Sequence, residues 1–229
     1  MDITHFYTET GAGEPLVLLH GNGEDSGYFV HQTEPFSAAF RVIAVDTRGH
    51  GQTPRGTAPF TIRQFGEDLA GFLDTLDIER AHILGFSDGA NIAMCFASRY
   101  PHRVGKLVLN GGNLNTKGVK RTTQLPIELG YRAARLFARR SPEAKRHAEM
   151  LGLMVDQPNL TEEELAQITA QTLVIAGTHD LIKASHTRYI AQHIPHAQLA
   201  FIDGNHFVAN KNPEPFNRAV LDFLLAEPK

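Results

Sequence analysis

Short apolar runs alternate along the chain with stretches of helical periodicity. Leu16-Val17-Leu18-Leu19 and Val42-Ile43-Ala44-Val45 are continuous apolar runs, the pattern of strands buried on both faces. Residues 81–84, 106–109, 173–176 and 198–202 read as further strands. Between them, Ile62, Phe65, Leu69, Phe72, Leu73 and Leu76 recur at helical spacing and predict an amphipathic helix over 61–77. A last helix is expected over about 212–226. This alternation predicts an α/β fold with a mostly parallel sheet of about seven strands, covered by helices on both faces. Residues 113–168 depart from it, showing helical patterning and no strand. They are expected to form a small helical lid inserted into a core made of 1–112 and 169–229.

Composition narrows the class. The 229 residues are 42% hydrophobic, enough for one full-sized core. The net charge of −3 points to neither nucleic acid nor an anionic membrane. A single cysteine, Cys95, allows no internal disulfide and suits a reducing compartment; no secretory leader pattern opens the chain, and a cytoplasmic location is expected. Cys95 itself reads as a small buried hydrophobe. The histidines are scattered, and Pro195 interrupts the pair His193 and His196, so no metal site is expected. Charge is unevenly spread. Residues 117–147 hold nine Lys/Arg against only Glu128 and Glu143. Two readings stay open for this stretch: a solvated helix face, or a patch that attracts an acidic substrate or partner.

Gly85-Phe86-Ser87-Asp88-Gly89 fits G-x-S-x-G between a predicted strand and a predicted helix. A very tight strand-to-helix turn exposes the central side chain, and glycines on either side avoid a Cβ clash. A serine hydroxyl needs a base, a group that orients the base, and donors for the oxyanion. His206, in a loop after the strand 198–202, is the candidate base. Asp180, just past the strand ending near Ala176, is the candidate orienting acid, with Asp203 as runner-up. In a parallel sheet these loops open on one edge, so the three side chains can converge. His20-Gly21-Asn22-Gly23 follows the first long strand and offers the Asn22 N–H to an oxyanion. The Asp88 N–H, at a helix start, is the second candidate donor.

Together, His20 to Gly23, Asp46-Thr47-Arg48-Gly49-His50-Gly51-Gln52-Thr53, Gly85 to Gly89, Gly177-Thr178-His179-Asp180 and Gly204-Asn205-His206 resemble the α/β-hydrolase superfamily over nearly the whole chain. The resemblance implies Ser87 as nucleophile, His206 as base and Asp180 as acid, with Asn22 and Asp88 backbone N–H groups as oxyanion hole and no cofactor. It assigns Asp46, Arg48 and His50 to bracing the loops, and His20 to shaping the oxyanion loop. The segment before Leu16 is short, so an edge strand usual in the family is expected to be missing, which puts that edge of the sheet in doubt but not the site. Ser-Asp-Gly in the elbow resembles the valacyclovir-hydrolase (biphenyl hydrolase-like) branch, which favours amino-acid esters. That leaves two roles for the Asp88 side chain: a first-turn helix residue, or a pocket residue that selects a cationic substrate.

The expected activity is hydrolysis of a small carboxylic ester through an acyl-enzyme. A C–C bond hydrolase, thioesterase, amidase or lactonase would use the same machinery. A non-catalytic ligand-binding protein is the rival from another class, and labelling by a fluorophosphonate separates the two. Phe86, Asp88, Phe137 and Met154 are the candidate substrate contacts. The expected partner is a small molecule, with neither nucleic acid nor membrane. Monomer and homodimer both remain open.

Overall fold

The computed structural model describes residues 2–227. Its elements run, in order, β1 (Tyr7–Thr10), β2 (Pro15–Leu19), α1 (Thr33–Ser37), β3 (Arg41–Val45), α2 (Ile62–Thr75), β4 (Ala81–Phe86), α3 (Asp88–Arg99) and β5 (Val104–Asn110). They continue with α4 (Arg121–Phe137), α5 (Pro142–Asp156), α6 (Glu162–Ala166), β6 (Gln171–Gly177), α7 (Ala184–His193), β7 (Ala197–Ile202), α8 (Val208–Lys211) and α9 (Pro213–Leu225). The seven strands form one sheet in the order β1-β3-β2-β4-β5-β6-β7. All neighbours are parallel except β1, which runs antiparallel to β3.

The apolar runs make the central strands because both faces of the sheet are covered. Val17, Leu19, Ile43, Val45 and Ile83 point into one core with the apolar faces of α2 and α3. Leu16, Leu18, Val42, Leu84 and Val108 point into a second core with Phe36 of α1 and Phe216 of α9. Successive residues therefore serve opposite cores, and no polar alternation survives in the sequence. Thr61 caps α2 by accepting the Gln64 N–H at 3.1 Å.

The seventh strand lies on the edge left in doubt. Tyr7–Thr10 is exposed throughout and pairs with β3 by backbone bonds, with Arg41 and Glu9 joined beside it at 2.9 Å. Between β5 and β6 the chain is helical. α4 and α5 pack together, with the Gln124 amide donating to the Met154 carbonyl at 3.2 Å and the Tyr131 hydroxyl to Asp156 at 2.8 Å. None of the helices in the described residues is long and apolar enough to cross a membrane.

Candidate active site

Four loops leave the carboxyl ends of β2, β4, β6 and β7 and meet above the same edge of the sheet. This follows from parallel pairing, which puts all strand ends of one polarity on one side.

Ser87 sits in the turn between β4 and α3 with φ +53° and ψ −116°, a conformation that costs a non-glycine residue energy. The turn is held from both sides. The Ser87 N–H donates to the Asn110 carbonyl of β5 at 2.8 Å, and the Ser87 carbonyl accepts the Ala90 and Asn91 N–H groups. The strain is tolerated because the residues two positions away on either side, Gly85 and Gly89, carry no side chain. A Cβ on Gly85 would fall on the Gly89 carbonyl, and a Cβ on Gly89 would fall on the Leu19 carbonyl of the adjacent strand.

His206 Nε2 lies 3.0 Å from Ser87 Oγ, and His206 Nδ1 lies 2.7 Å from Asp180 Oδ1. A carboxylate only accepts, so Nδ1 carries the proton and Nε2 is left to accept from the serine hydroxyl. Asp180 is buried and also accepts the Ile182 N–H at 2.8 Å, which fixes the carboxylate before it meets the ring. Gly111, at φ +65°, makes room: a Cβ there would stand 2.8 Å from the His206 ring. The sequence reading did not single out Gly111, and only its place just after a strand hinted at it. Asp203, the alternative acid, is exposed and receives the Thr178 hydroxyl at 3.1 Å.

The loop after β2, which carries Asn22, is braced from below. The Thr47 N–H donates to His20 Nε2 at 3.0 Å, so His20 is the tautomer protonated at Nδ1, which donates to the Gly21 carbonyl at 2.7 Å. Burial lowers the pKa of His20 and drives that of His50 down to about 4, so both rings are neutral at pH 7. Asp46 accepts the Ser26 and Gln52 N–H groups at 2.7 and 2.8 Å, tying the loop after β2 to the loop after β3. The Asn22 and Asp88 N–H groups have no hydrogen-bond partner among the described residues, and both residues line the cavity beside Ser87. The Asn22 side chain is committed elsewhere. Its amide donates to Asp88 Oδ2 at 3.0 Å and to the Met150 carbonyl of α5 at 2.9 Å.

The cavity over Ser87 encloses about 160 Å³. Residues of the loops around Ser87 form one wall; Ile127, Leu153 and Met154 of the helical segment form the other, with Ile182 between. Phe86, Asp88 and Met154 of the expected contacts line it. Phe137 does not: it is half exposed at the end of α4, with the Arg140 guanidinium over its ring at 5.2 Å. The helical phase explains this. Gln124 and Ile127 point to the cavity, while Leu125, Leu129 and Leu136 are turned to solvent. None of the nine basic residues of 117–147 is among the described residues that line the cavity.

Glu24 was not anticipated. It lines the cavity, accepts the Gly21 N–H at 3.1 Å, and has its pKa pushed up to about 7, chiefly by burial. Burial also raises the pKa of Asp88, against the pull of the Asn22 and Asn91 amides. Cys95, buried on the α2 side of α3, has its thiol pushed up to about 12 and is not a nucleophile at pH 7.

The sequence profile of the family described as alpha/beta hydrolase fold matches residues 14–139. The chain is 32% identical to a 2-hydroxy-6-oxononadienedioate/2-hydroxy-6-oxononatrienedioate hydrolase of Pseudomonas putida, over 98% of this chain and 92% of that one. Among solved structures it resembles the enol-lactonase of Burkholderia xenovorans LB400, with a TM-score of 0.82, 25% identity, and 97% and 96% of the two chains covered. It also resembles a meta-cleavage product hydrolase of Pseudomonas fluorescens IP01, with a TM-score of 0.78, 26% identity, and 97% and 94% covered. A strained serine in a glycine-flanked elbow, loops that converge at one sheet edge, and a matching profile and relatives agree: the chain belongs to the alpha/beta hydrolase family.

Proposed function

We propose that this enzyme hydrolyses a small carbonyl compound with Ser87 as nucleophile, and that the bond it breaks joins the carbonyl carbon to a neighbouring carbon. The observation that carries the reading is the hydrogen-bonded chain from Asp180 through His206 to Ser87, opening into a partly open, mostly apolar cavity. Ser87 Oγ adds to the carbonyl as its proton passes to His206 Nε2. The Asn22 and Asp88 N–H groups receive the oxyanion. Collapse breaks the C–C bond; the electron pair leaves on carbon as an enolate, which the His206 imidazolium protonates. Water, deprotonated by His206, then releases the acid.

The relatives' names favour this bond class over the carboxylic ester expected from sequence. The cavity favours a different substrate charge. Those names describe dicarboxylates, whereas two carboxyl groups and no Lys or Arg line this cavity among the described residues. A neutral or amine-bearing substrate fits it better. The same feature supports a neutral or amine-bearing ester as the second reading.

The test is a panel of a linear β-diketone, a 2-hydroxy-6-oxodienedioate and p-nitrophenyl acetate, with wild type and Ser87→Ala. The diketone should be cleaved faster than the dicarboxylate, and Ser87→Ala should lose at least about 10³-fold in kcat. Turnover of the ester alone would replace the first reading with the second. Full activity in Ser87→Ala would remove the nucleophile assignment.

A further inference from the structure

The two carboxyl groups that face the cavity are not equivalent. Asp88 has both oxygens occupied: Oδ2 accepts the Asn22 amide at 3.0 Å and Oδ1 the Asn91 amide at 3.1 Å. It also stands in the first turn of α3, where the helix dipole favours negative charge. Glu24 uses one oxygen. Its Oε2 accepts the Gly21 N–H, while its own N–H returns to the Gly21 carbonyl at 3.3 Å, so the residue closes the oxyanion turn on itself. Oε1 has no protein partner among the described residues and keeps accessible surface.

We propose that Glu24 is the residue that sets substrate charge: its free carboxylate oxygen receives an ammonium group carried by the substrate on the oxyanion-loop side of Ser87, and it disfavours a carboxylate in the same place. This rests on Ser87 being the nucleophile, as proposed above. It also moves the cation-selecting role away from Asp88, whose oxygens are already satisfied.

The surroundings of Glu24 leave that role open to a substrate. The charged and titratable groups near it are His206 from the β7 loop, Asp88 across the cavity, Asp25 beside it in the chain, and the Tyr28 phenol in the following turn. None is a permanent cation. Burial pushes the Glu24 carboxyl up to about 7; Asp25 adds to this, while the Gly21 hydrogen bond and His206 oppose it. An arriving ammonium therefore supplies the counter-charge that the protein withholds. The preference should strengthen as pH rises through 7, where the carboxyl ionises.

Two p-nitrophenyl methylphosphonates test this, one esterified with choline and one with its uncharged isostere, the 3,3-dimethylbutyl alcohol. Both phosphonylate an activated serine whatever bond the enzyme normally cleaves, and both release p-nitrophenolate stoichiometrically. The choline group keeps its charge at every pH. At pH 8 the cationic probe should react with wild type about tenfold faster than its isostere, a modest figure because the pocket is only half-buried at Glu24. At pH 6 the ratio should fall to about threefold or less. Glu24→Gln retains an oxygen for the Gly21 N–H; it should bring the ratio near one and abolish its pH dependence. Asp88→Asn should keep most of the ratio. An unchanged ratio in Glu24→Gln, or loss of the ratio in Asp88→Asn alone, overturns the proposal. Reaction with neither probe overturns the nucleophile assignment, and this inference with it.

Discussion

Arg48 is the largest side chain with essentially no exposed surface, and it sits under the loop that carries Asp46 and His50. Its guanidinium grips Asp68 of α2 with two bonds, Nε to Oδ2 at 2.6 Å and Nη2 to Oδ1 at 2.7 Å. Further bonds run to Asp2 at 2.7 and 3.2 Å and to the Arg55 carbonyl at 3.0 Å. Asp68→Asn keeps the volume and removes the charge. Breaking a buried ion pair from one side costs about 3–5 kcal/mol, because a desolvated charge is left behind. Asp2 remains, although 31% of its side chain is exposed, so the cost should sit near the lower end. About 3 kcal/mol in a chain of this length corresponds to a fall in Tm of roughly 6–12 °C. Equilibrium urea unfolding and a thermal melt both read this. The double variant Arg48→Met with Asp68→Leu should recover at least about 1 kcal/mol of the loss, since no fully buried charge is then stranded; Asp2 loses Arg48 but is partly exposed and keeps the Thr57 and Ala58 N–H groups. A loss below about 1 kcal/mol in Asp68→Asn, or a double variant no more stable than the single one, would refute the argument that the pair braces this loop through charge.

Two further outcomes are expected. His50 is held neutral in the folded state by burial, with its pKa near 4 against 6.5 when unfolded, so its contribution is complete above 6.5 and is lost as pH falls towards 4. Going from pH 7.5 to 5.0 should therefore cost wild type about 2 kcal/mol relative to His50→Gln in urea unfolding; a constant difference between the two would exclude a buried neutral ring. Gly89→Ala would drive a Cβ into the Leu19 and His20 carbonyls, which are backbone and cannot rotate away. Soluble expression and a thermal melt should show severe destabilisation, and a wild-type Tm would mean that the elbow is looser than described.

The loops of the candidate site were legible in the sequence because each is punctuated: a strand ends, a glycine permits the turn, and a side chain able to react follows. Six strands were legible for a related reason: five are covered on both faces and leave apolar runs, while β7, only partly buried, was marked by Leu199, Phe201 and Ile202. β1 was not, because Tyr7-Thr8-Glu9-Thr10 buries neither face and is held by pairing with β3, which leaves no pattern along the chain. Phe137 was misplaced by counting apolar residues in 113–168 without phase. The apolar residues of α4 divide between two faces, and Ile127 is on the cavity side while Leu136, 76% exposed, is not. Glu24 lay in a polar glycine-rich loop, where a carboxylate is ordinarily solvated. Only the fold of that turn brings it back over Gly21.

The same turn bears on how a shared scaffold changes substrate. In the proposed mechanism, Asp180, His206, Ser87 and the elbow glycines are demanded by the chemistry at the carbonyl and leave little freedom. The cavity wall supplied by the loop after β2 is under no such demand, provided the Asn22 N–H keeps its place. Here that loop is fixed by a side chain whose second oxygen remains unspent. Bracing and selection are thus joined in one residue. A substrate carboxylate placed at Glu24 would meet a like charge in a desolvated site and could lower the energy only by protonating one of the two groups. An ammonium meets the opposite charge and needs no proton. A dicarboxylate like those named for the relatives would therefore need Glu24 replaced by a neutral or basic side chain, and Glu24→Gln is the smallest change that separates the brace from the charge.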